Sequence, residues 1–262
     1  MQTPQINQAV ASLLPVFRDH GRIVSLDPAC RPRSRAEGYA VQGALLKALG
    51  ETGIGWKIAA TSAAGQQHIG VSGPLAGRLL HSRCLKDGAT VSLTGNFMAV
   101  AEAEFAFRIG RDIERQGDTP LTMAEVMAGV EALHVAIEVP ASRFEDFAKA
   151  GEAQLISEFA CACFFVLGPE VKTDWRSVDL KDHQVSVRCN GEIAGKGQGS
   201  NVLGDPRLAL TWLANELIDH NRFLQAGDVI MTGTCVVPVP IKVGDTVTAD
   251  FGAFGSVSAS FS

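Results

Sequence analysis

No apolar stretch in this 262-residue chain comes near the ~20 residues that cross a bilayer; runs such as Ala160 to Leu167 stop far short. Clustered basic charge is missing too. Against 28 Asp and Glu stand 23 Lys and Arg, a formal net charge of -5, so a nucleic-acid partner, which needs a basic patch to neutralise phosphates, is not expected. Met1 to Arg18 carries no basic leader ahead of a long apolar segment and no small-residue cleavage site; it does not read as a secretory signal, and the cytoplasm is the expected compartment. The six cysteines (Cys30, Cys84, Cys161, Cys163, Cys189, Cys235) contain no C-x-x-C clamp, so they read as small buried hydrophobes rather than zinc ligands or disulfides. Gly195-Lys196-Gly197-Gln198-Gly199-Ser200 lacks the Gly-Lys-Ser/Thr ending of a phosphate loop and reads as a mobile loop or plain turn. There is no internal repeat, low-complexity tract or long linker.

What is present is an ordinary globular composition, 46% apolar and 19% charged, enough for a sizeable core without staples. Val10, Leu13, Leu14 and Phe17 have helical spacing, and Ser34 to Glu37 reads as a capping box opening a helix that runs to Leu49 and stops at Gly50. From Ile54 the texture becomes that of strands: Ile54 to Ala60, Ala101 to Ile109, Leu133 to Val139, Phe159 to Leu167, Val185 to Cys189, Val229 to Thr232, Thr246 to Asp250 and Val257 to Phe261, with Asn190-Gly191 as a hairpin turn. Two helices interrupt them, Thr122 to Glu131 and one capped by Asp205 with Pro206 at its first position, running to His220. The expectation is an α+β protein with a helical portion over 1–53 and a β-rich catalytic domain over 54–262. Strands with so few intervening helices exclude a doubly wound nucleotide fold.

Three acids could carry chemistry. In Ala101-Glu102-Ala103-Glu104-Phe105-Ala106-Phe107 a period of two puts both glutamates on one strand face, ~7 Å apart at the α-carbons; they either converge on an ion or sit in water. Glu138 stands alone in the apolar run Leu133 to Val139, where a buried carboxylate needs a cation, whether a metal or a salt bridge to Arg143. Three carboxylates with an oxygen-rich substrate suit a hard ion such as Mg²⁺ or Mn²⁺. Lys57, in Ile54-Gly55-Trp56-Lys57-Ile58, either faces that pocket or snorkels at a strand edge. His134 shares strand parity with Glu138 and is either a support for the acids or a hydrogen-bonded core histidine.

Taken together, Gly55-Trp56-Lys57-Ile58 with Thr61-Ser62, Glu102-Ala103-Glu104, Ile137-Glu138-Val139, Val202-Leu203-Gly204-Asp205-Pro206, Gly227 to Thr234 and Gly244-Asp245-Thr246-Val247 resemble the fumarylacetoacetate hydrolase superfamily, within it the 2-keto-4-pentenoate hydratase and 4-oxalocrotonate decarboxylase branch. The resemblance runs from about residue 40 to the C-terminus. It implies a mixed β-sheet rolled on itself, a helical N-terminal portion and a homo-oligomer. It also implies Mg²⁺ or Mn²⁺ on Glu102, Glu104 and Glu138, catalytic Lys57, and Thr232-Gly233-Thr234 closing over the carboxylate of a small 2-oxo acid. The implied reaction is hydration of a short 2-hydroxydienoic acid in aromatic-compound degradation.

The chain departs from that pattern. Pro74-Leu75-Ala76-Gly77 lacks the hydratases' usual aspartate, Ala141-Ser142-Arg143 stands for Asp-Ser-Arg, and Glu158-Phe159-Ala160-Cys161 for Asp-Asn-Ala-Ser. Decarboxylation of a 2-oxo dioate, which needs fewer polar groups, is therefore the alternative reaction, and a catalytically weak paralogue serving as a binding subunit is a third reading. Glu158 or His134 is expected to stand in as proton carrier, with Thr61, Ser62, Arg143 and Thr234 at the substrate. Leu75, Phe159 and Cys161 suggest a more apolar pocket.

Overall fold

The computed structural model describes all 262 residues. Two helices begin the chain. Helix α1 (Thr3–Arg18) has proline in its first turn, and α2 (Arg35–Leu49) starts where the Ser34 hydroxyl accepts from the Glu37 amide and ends at Gly50 in the left-handed region (φ 71°). The reciprocal half of the expected capping box does not form. Glu37 instead holds the chain's N-terminal ammonium and the Arg33 amide.

Strand β1 (Gly53–Ala59), helix α3 (Ala63–Ile69), strands β2 (Leu75–Leu80), β3 (Cys84–Lys86) and β4 (Thr90–Val91), and the long β5 (Val100–Ile109) follow. Next come α4 (Met123–Met127), β6 (Val130–Val139), α5 (Phe147–Ala150), α6 (Glu152–Ser157), β7 (Phe164–Glu170) and the hairpin of β8 (Gln184–Cys189) and β9 (Glu192–Gln198). Helix α7 (Pro206–Asp219), capped by the Asp205 carboxylate on the Arg207 amide at 2.7 Å, leads to β10 (Val229–Thr234), β11 (Val239–Pro240), β12 (Thr246–Asp250) and β13 (Ser256–Phe261).

The strands form two sheets. The larger runs β2-β1-β10-β5-β6-β7-β3, with β11 added beside β5; the smaller runs β4-β13-β12-β8-β9. Both are mixed, since β1 with β10, β3 with β7, and β4 with β13 are parallel and their other pairs antiparallel. Buried side chains from α1, α2 and both sheets form one continuous core, from Leu13 and Tyr39 to Phe105, Val187 and Phe261. No helix is long and apolar enough to cross a membrane. The α+β layout with a mixed sheet and an N-terminal helical portion is as the sequence implied.

Several elements differ from expectation, each for a local reason. Helix α4 stops after five residues because Gly129 packs on the Ile113 side chain and its carbonyl accepts from Gly110, which starts β6 at Val130. The strand expected from Phe159 begins only at Phe164. Phe159, Ala160 and Cys161 all lie at positive φ (68°, 50° and 64°), a left-handed turn seated against Gly77, where a β-carbon would stand 1.8 Å from the Phe159 carbonyl oxygen. The glycine cluster is no loop: Gly195 and Gly197 lie inside β9, and Gly197 lets the Cys235 carbonyl approach. Asn190 and Gly191 make the expected tight hairpin, both at positive φ.

Candidate metal centre and active site

Strands β5 and β6 pair with Glu102 directly opposite Glu138 and Glu104 opposite Ala136, so period-two geometry puts the three acids on one face. A carboxylate oxygen from each lies within 4.8 Å of the other two, a span that one ion with bonds of about 2.1–2.5 Å can bridge. Lys57 enters from β1, three strands away from β6 in the order β1-β10-β5-β6. The strand backbones would stand ~14 Å apart in a flat sheet; the long lysine side chain and the curl of the sheet together bring Nζ to 3.1 Å from Glu138 Oε1.

The electrostatics call for a cation. Oε2 of Glu138 and Oε1 of Glu104 are buried without a hydrogen-bond partner, Oε1 of Glu138 has only the Lys57 ammonium, and three carboxyl groups share that one cation. Burial, and then the Glu138 charge, push the Glu102 carboxyl up to about 7, with Lys57 pulling the other way. Burial, Glu138 and Glu102 hold Glu104 well above the usual carboxylate range, although the Gly233 amide donates to its Oε2 at 2.8 Å. Burial opposes the Lys57 charge, but Glu138 and then Glu102 outweigh it, so its pKa is raised and it is an ammonium at neutral pH. An all-oxygen donor set with orphaned acceptors fits Mg²⁺ or Mn²⁺ and does not suit zinc.

Beyond Cys161 lies a fourth carboxylate, fully buried. Glu158 accepts from the Ser142 hydroxyl at 2.7 Å and the Arg143 amide at 2.8 Å, with the Arg143 guanidinium at 3.6 Å and the Cys161 thiol at 3.5 Å. Burial raises its pKa against these contacts. Cys161 carries the link forward: Glu158 and Lys57 are the charged groups acting most strongly on its thiol, whose pKa burial raises far above normal.

Other expected site residues fall elsewhere. Arg143 does not pair with Glu138; its guanidinium contacts the Ala141 and Ala162 carbonyls and lies over the Phe17 ring. His134 pairs across β5 with Ala106, four residues or ~13 Å of strand from Glu138; its Nδ1 is 3.0 Å from the Gly168 carbonyl, and its charged neighbours are Arg108, Glu170 and Lys172. Ser62 caps α3 by accepting from Gly65, whereas Thr61 is buried against Gly233, whose φ of 107° and lack of a β-carbon make room for the threonine. Thr234 bonds within its own turn to Val236. Of the three apolar substitutions, Phe159 turns away to pack edge-on against Phe17, Leu75 is fully buried, and Cys161 stands near Lys57. The amide of Gly233 as a brace for Glu104 was not anticipated, and a glycine inside a strand was the available signal.

A curled mixed sheet cupping an oxygen-only cation centre and a buried lysine defines a class of metal-dependent enzyme. The family profile described as fumarylacetoacetate (FAA) hydrolase C-terminal matches residues 74–262, and the chain belongs to that family. It is 31% identical over 261 residues to a 2-keto-4-pentenoate hydratase of Paraburkholderia phymatum, covering 98% of each chain. It is 35% identical over 219 residues to a 2-hydroxyhexa-2,4-dienoate hydratase of Comamonas testosteroni, covering 83% of this chain and 81% of that one. Among solved structures, the 4-oxalocrotonate decarboxylase from Pseudomonas putida G7, complexed with magnesium and adipate, superposes with a TM-score of 0.90 at 27% identity, covering 100% of this chain and 99% of that one.

Proposed function

We propose that this chain is a divalent-metal-dependent hydratase of a short 2-hydroxydienoic or 2-oxo-enoic acid, acting in aromatic-compound breakdown. The observation that carries the reading is the convergence of Glu102, Glu104 and Glu138 under the Lys57 ammonium, in a chain 31% identical to a 2-keto-4-pentenoate hydratase over 261 residues. Glu102, Glu104 and Glu138 hold Mg²⁺ or Mn²⁺, which when bound supplies an electron sink for the 2-oxo carboxylate. Lys57 rests as an ammonium that anchors the substrate anion, gives a proton from Nζ to carbon as the hydroxydienoate ketonises, and recovers the proton that the enol hydroxyl loses. Glu158, through Cys161, holds a proton near Lys57, and Thr61 with the Thr232-Gly233-Thr234 turn borders the substrate. Arg143 positions Glu158 rather than reaching substrate, and Ser62 and His134 are assigned no direct contact with it.

Decarboxylation of a 2-oxo dioate is the second reading. It is favoured by the fold match to the decarboxylase and by fully buried Leu75, which leaves that wall without a carboxylate to orient water. Ultraviolet absorbance of 2-hydroxypenta-2,4-dienoate, alongside carbon dioxide release from 2-oxo-3-hexenedioate, separates the two. Metal-dependent loss of the dienoate signal, abolished in Glu104→Gln, supports hydration; carbon dioxide release alone transfers the assignment to decarboxylation. Inertness toward both sinks both. A homo-oligomer in the cytoplasm completes the proposal, and light scattering of the purified protein tests its assembly.

A further inference from the structure

On the opposite face of β1 from Lys57 lies a cavity of about 290 Å³ between α2, β1, β2 and the segment after α7. Its polar side is cationic. Arg78 lies across Trp56, 4.9 Å from the ring centroid, in space kept clear by Gly53, and is held by the Gly53 carbonyl and Asp228. Arg222 faces it and has no acid partner: its two amino groups donate only to the carbonyls of His220 and Tyr39. The nearby carboxylates are committed, Asp228 to Arg78 and the Gln225 amide, and Glu216 to Arg35, Tyr39 and His220. Burial lowers the pKa of both guanidiniums, and Arg78 and Arg222 repel one another. Trp56, a side chain 5% exposed, lines the cavity, while its indole Nε1 is enclosed in the protein. The remaining wall is apolar, from Leu46 and Phe223.

We propose that this cavity is a binding site for a short carboxylic acid, its carboxylate taken by the Arg222 guanidinium with Arg78 adding positive charge, and its apolar body lying along Leu46 and Phe223. A guanidinium that spends two N–H groups on carbonyls and has no acid partner keeps donors and a full positive charge to spare, which is what a carboxylate takes up. The volume equals that of roughly ten waters, matching an acid of up to about ten non-hydrogen atoms. The site is separate from the acids that would hold metal, because neighbouring residues on a strand point to opposite faces.

The test uses the full chain carrying Trp175→Phe and Trp212→Phe, so that Trp56 is the only indole, with chelator present. Pentanoate should give saturable fluorescence change, with pentan-1-ol and inorganic phosphate each on the order of tenfold weaker. Arg222→Gln should weaken pentanoate by a similar factor, and Glu104→Gln should leave it unchanged. Gly43→Leu is the second variant. Gly43 sits on α2 with the Arg222 amino group 3.5 Å from where its β-carbon would be, so the longer side chain should block the mouth while adding helix propensity. A response equal in pentan-1-ol or in matched chloride, or one that survives both variants, overturns the proposal. So does an absence of binding together with a smaller assembly for Arg222→Gln than for the parent, which would make the cavity a contact between copies.

Discussion

Glu138 and Lys57 form a buried ion pair. Removing one leaves the other buried alone, which costs about 3–5 kcal/mol. Lys57→Met should therefore lower metal-free stability by that order in urea unfolding at pH 8. The double variant with Glu138→Gln should recover most of the stability and none of the turnover. Full stability in the single variant would mean that the pair is solvated. A second expectation concerns pH. Glu102, raised from 4.5 to about 7, binds more protons folded than unfolded over that interval, so metal-free stability should fall as pH rises from about 4.5 through 7. Saturating Mg²⁺ favours the ionised acids and should flatten or reverse the slope, with proton release on binding. Thermal melts at stepped pH, with and without Mg²⁺, check the sign, and Glu104→Gln should shrink the difference between them.

At the scale of elements, the site depends on close backbone approaches that only glycine allows. Gly77, paired with Lys57 across β1 and β2, leaves no room for a β-carbon against the turn at 159–161 that carries Cys161 beside the lysine. Gly77→Ala should push that turn out, costing about 1–3 kcal/mol and most of the turnover; a denaturant midpoint and a kcat measured together test it. Asp205→Ala is the contrasting change. It removes the α7 cap, 2.7 Å from the Arg207 amide, and should cost about 1 kcal/mol while leaving kcat near that of the parent. Equal losses of turnover in the two variants would show that the turn has no special part.

Across the whole molecule, the N-terminal helices share one core with both sheets. Tyr39, Val41 and Leu45 of α2 are fully buried in the cluster that includes Leu79 and Ile156. The boundary expected near residue 53 thus separates two textures of sequence, and we propose that it does not separate two folding units. Far-ultraviolet and near-ultraviolet signals of the full chain should lose structure in one coincident transition, and residues 54–262 alone should show no cooperative transition. Independent unfolding of the fragment would restore two units.

Much of this was legible in the residues themselves because it is local. Period two put Glu102 and Glu104 on one face, Asp205-Pro206 opened a helix, Asn190-Gly191 closed a hairpin, and an acid in an apolar run demanded a cation. Which cation met Glu138 was not local. Arg143, five residues away in sequence, pairs with Glu158, whereas Lys57, eighty-one residues earlier, reaches Glu138 once the sheet curls. Strand parity made His134 a neighbour of the acids, but distance along β6 takes it away, since parity carries no measure of length. The left-handed turn at Phe159 to Cys161 was hidden for a similar reason. Its residues read as a strand, and packing against Gly77 from another strand overrides that propensity. Sequence by itself determined the types of chemistry available and the faces they occupy, because those follow from backbone periodicity. Only the tertiary structure decided which groups meet, because contact between distant strands is set by sheet curvature and close packing, which no local pattern encodes.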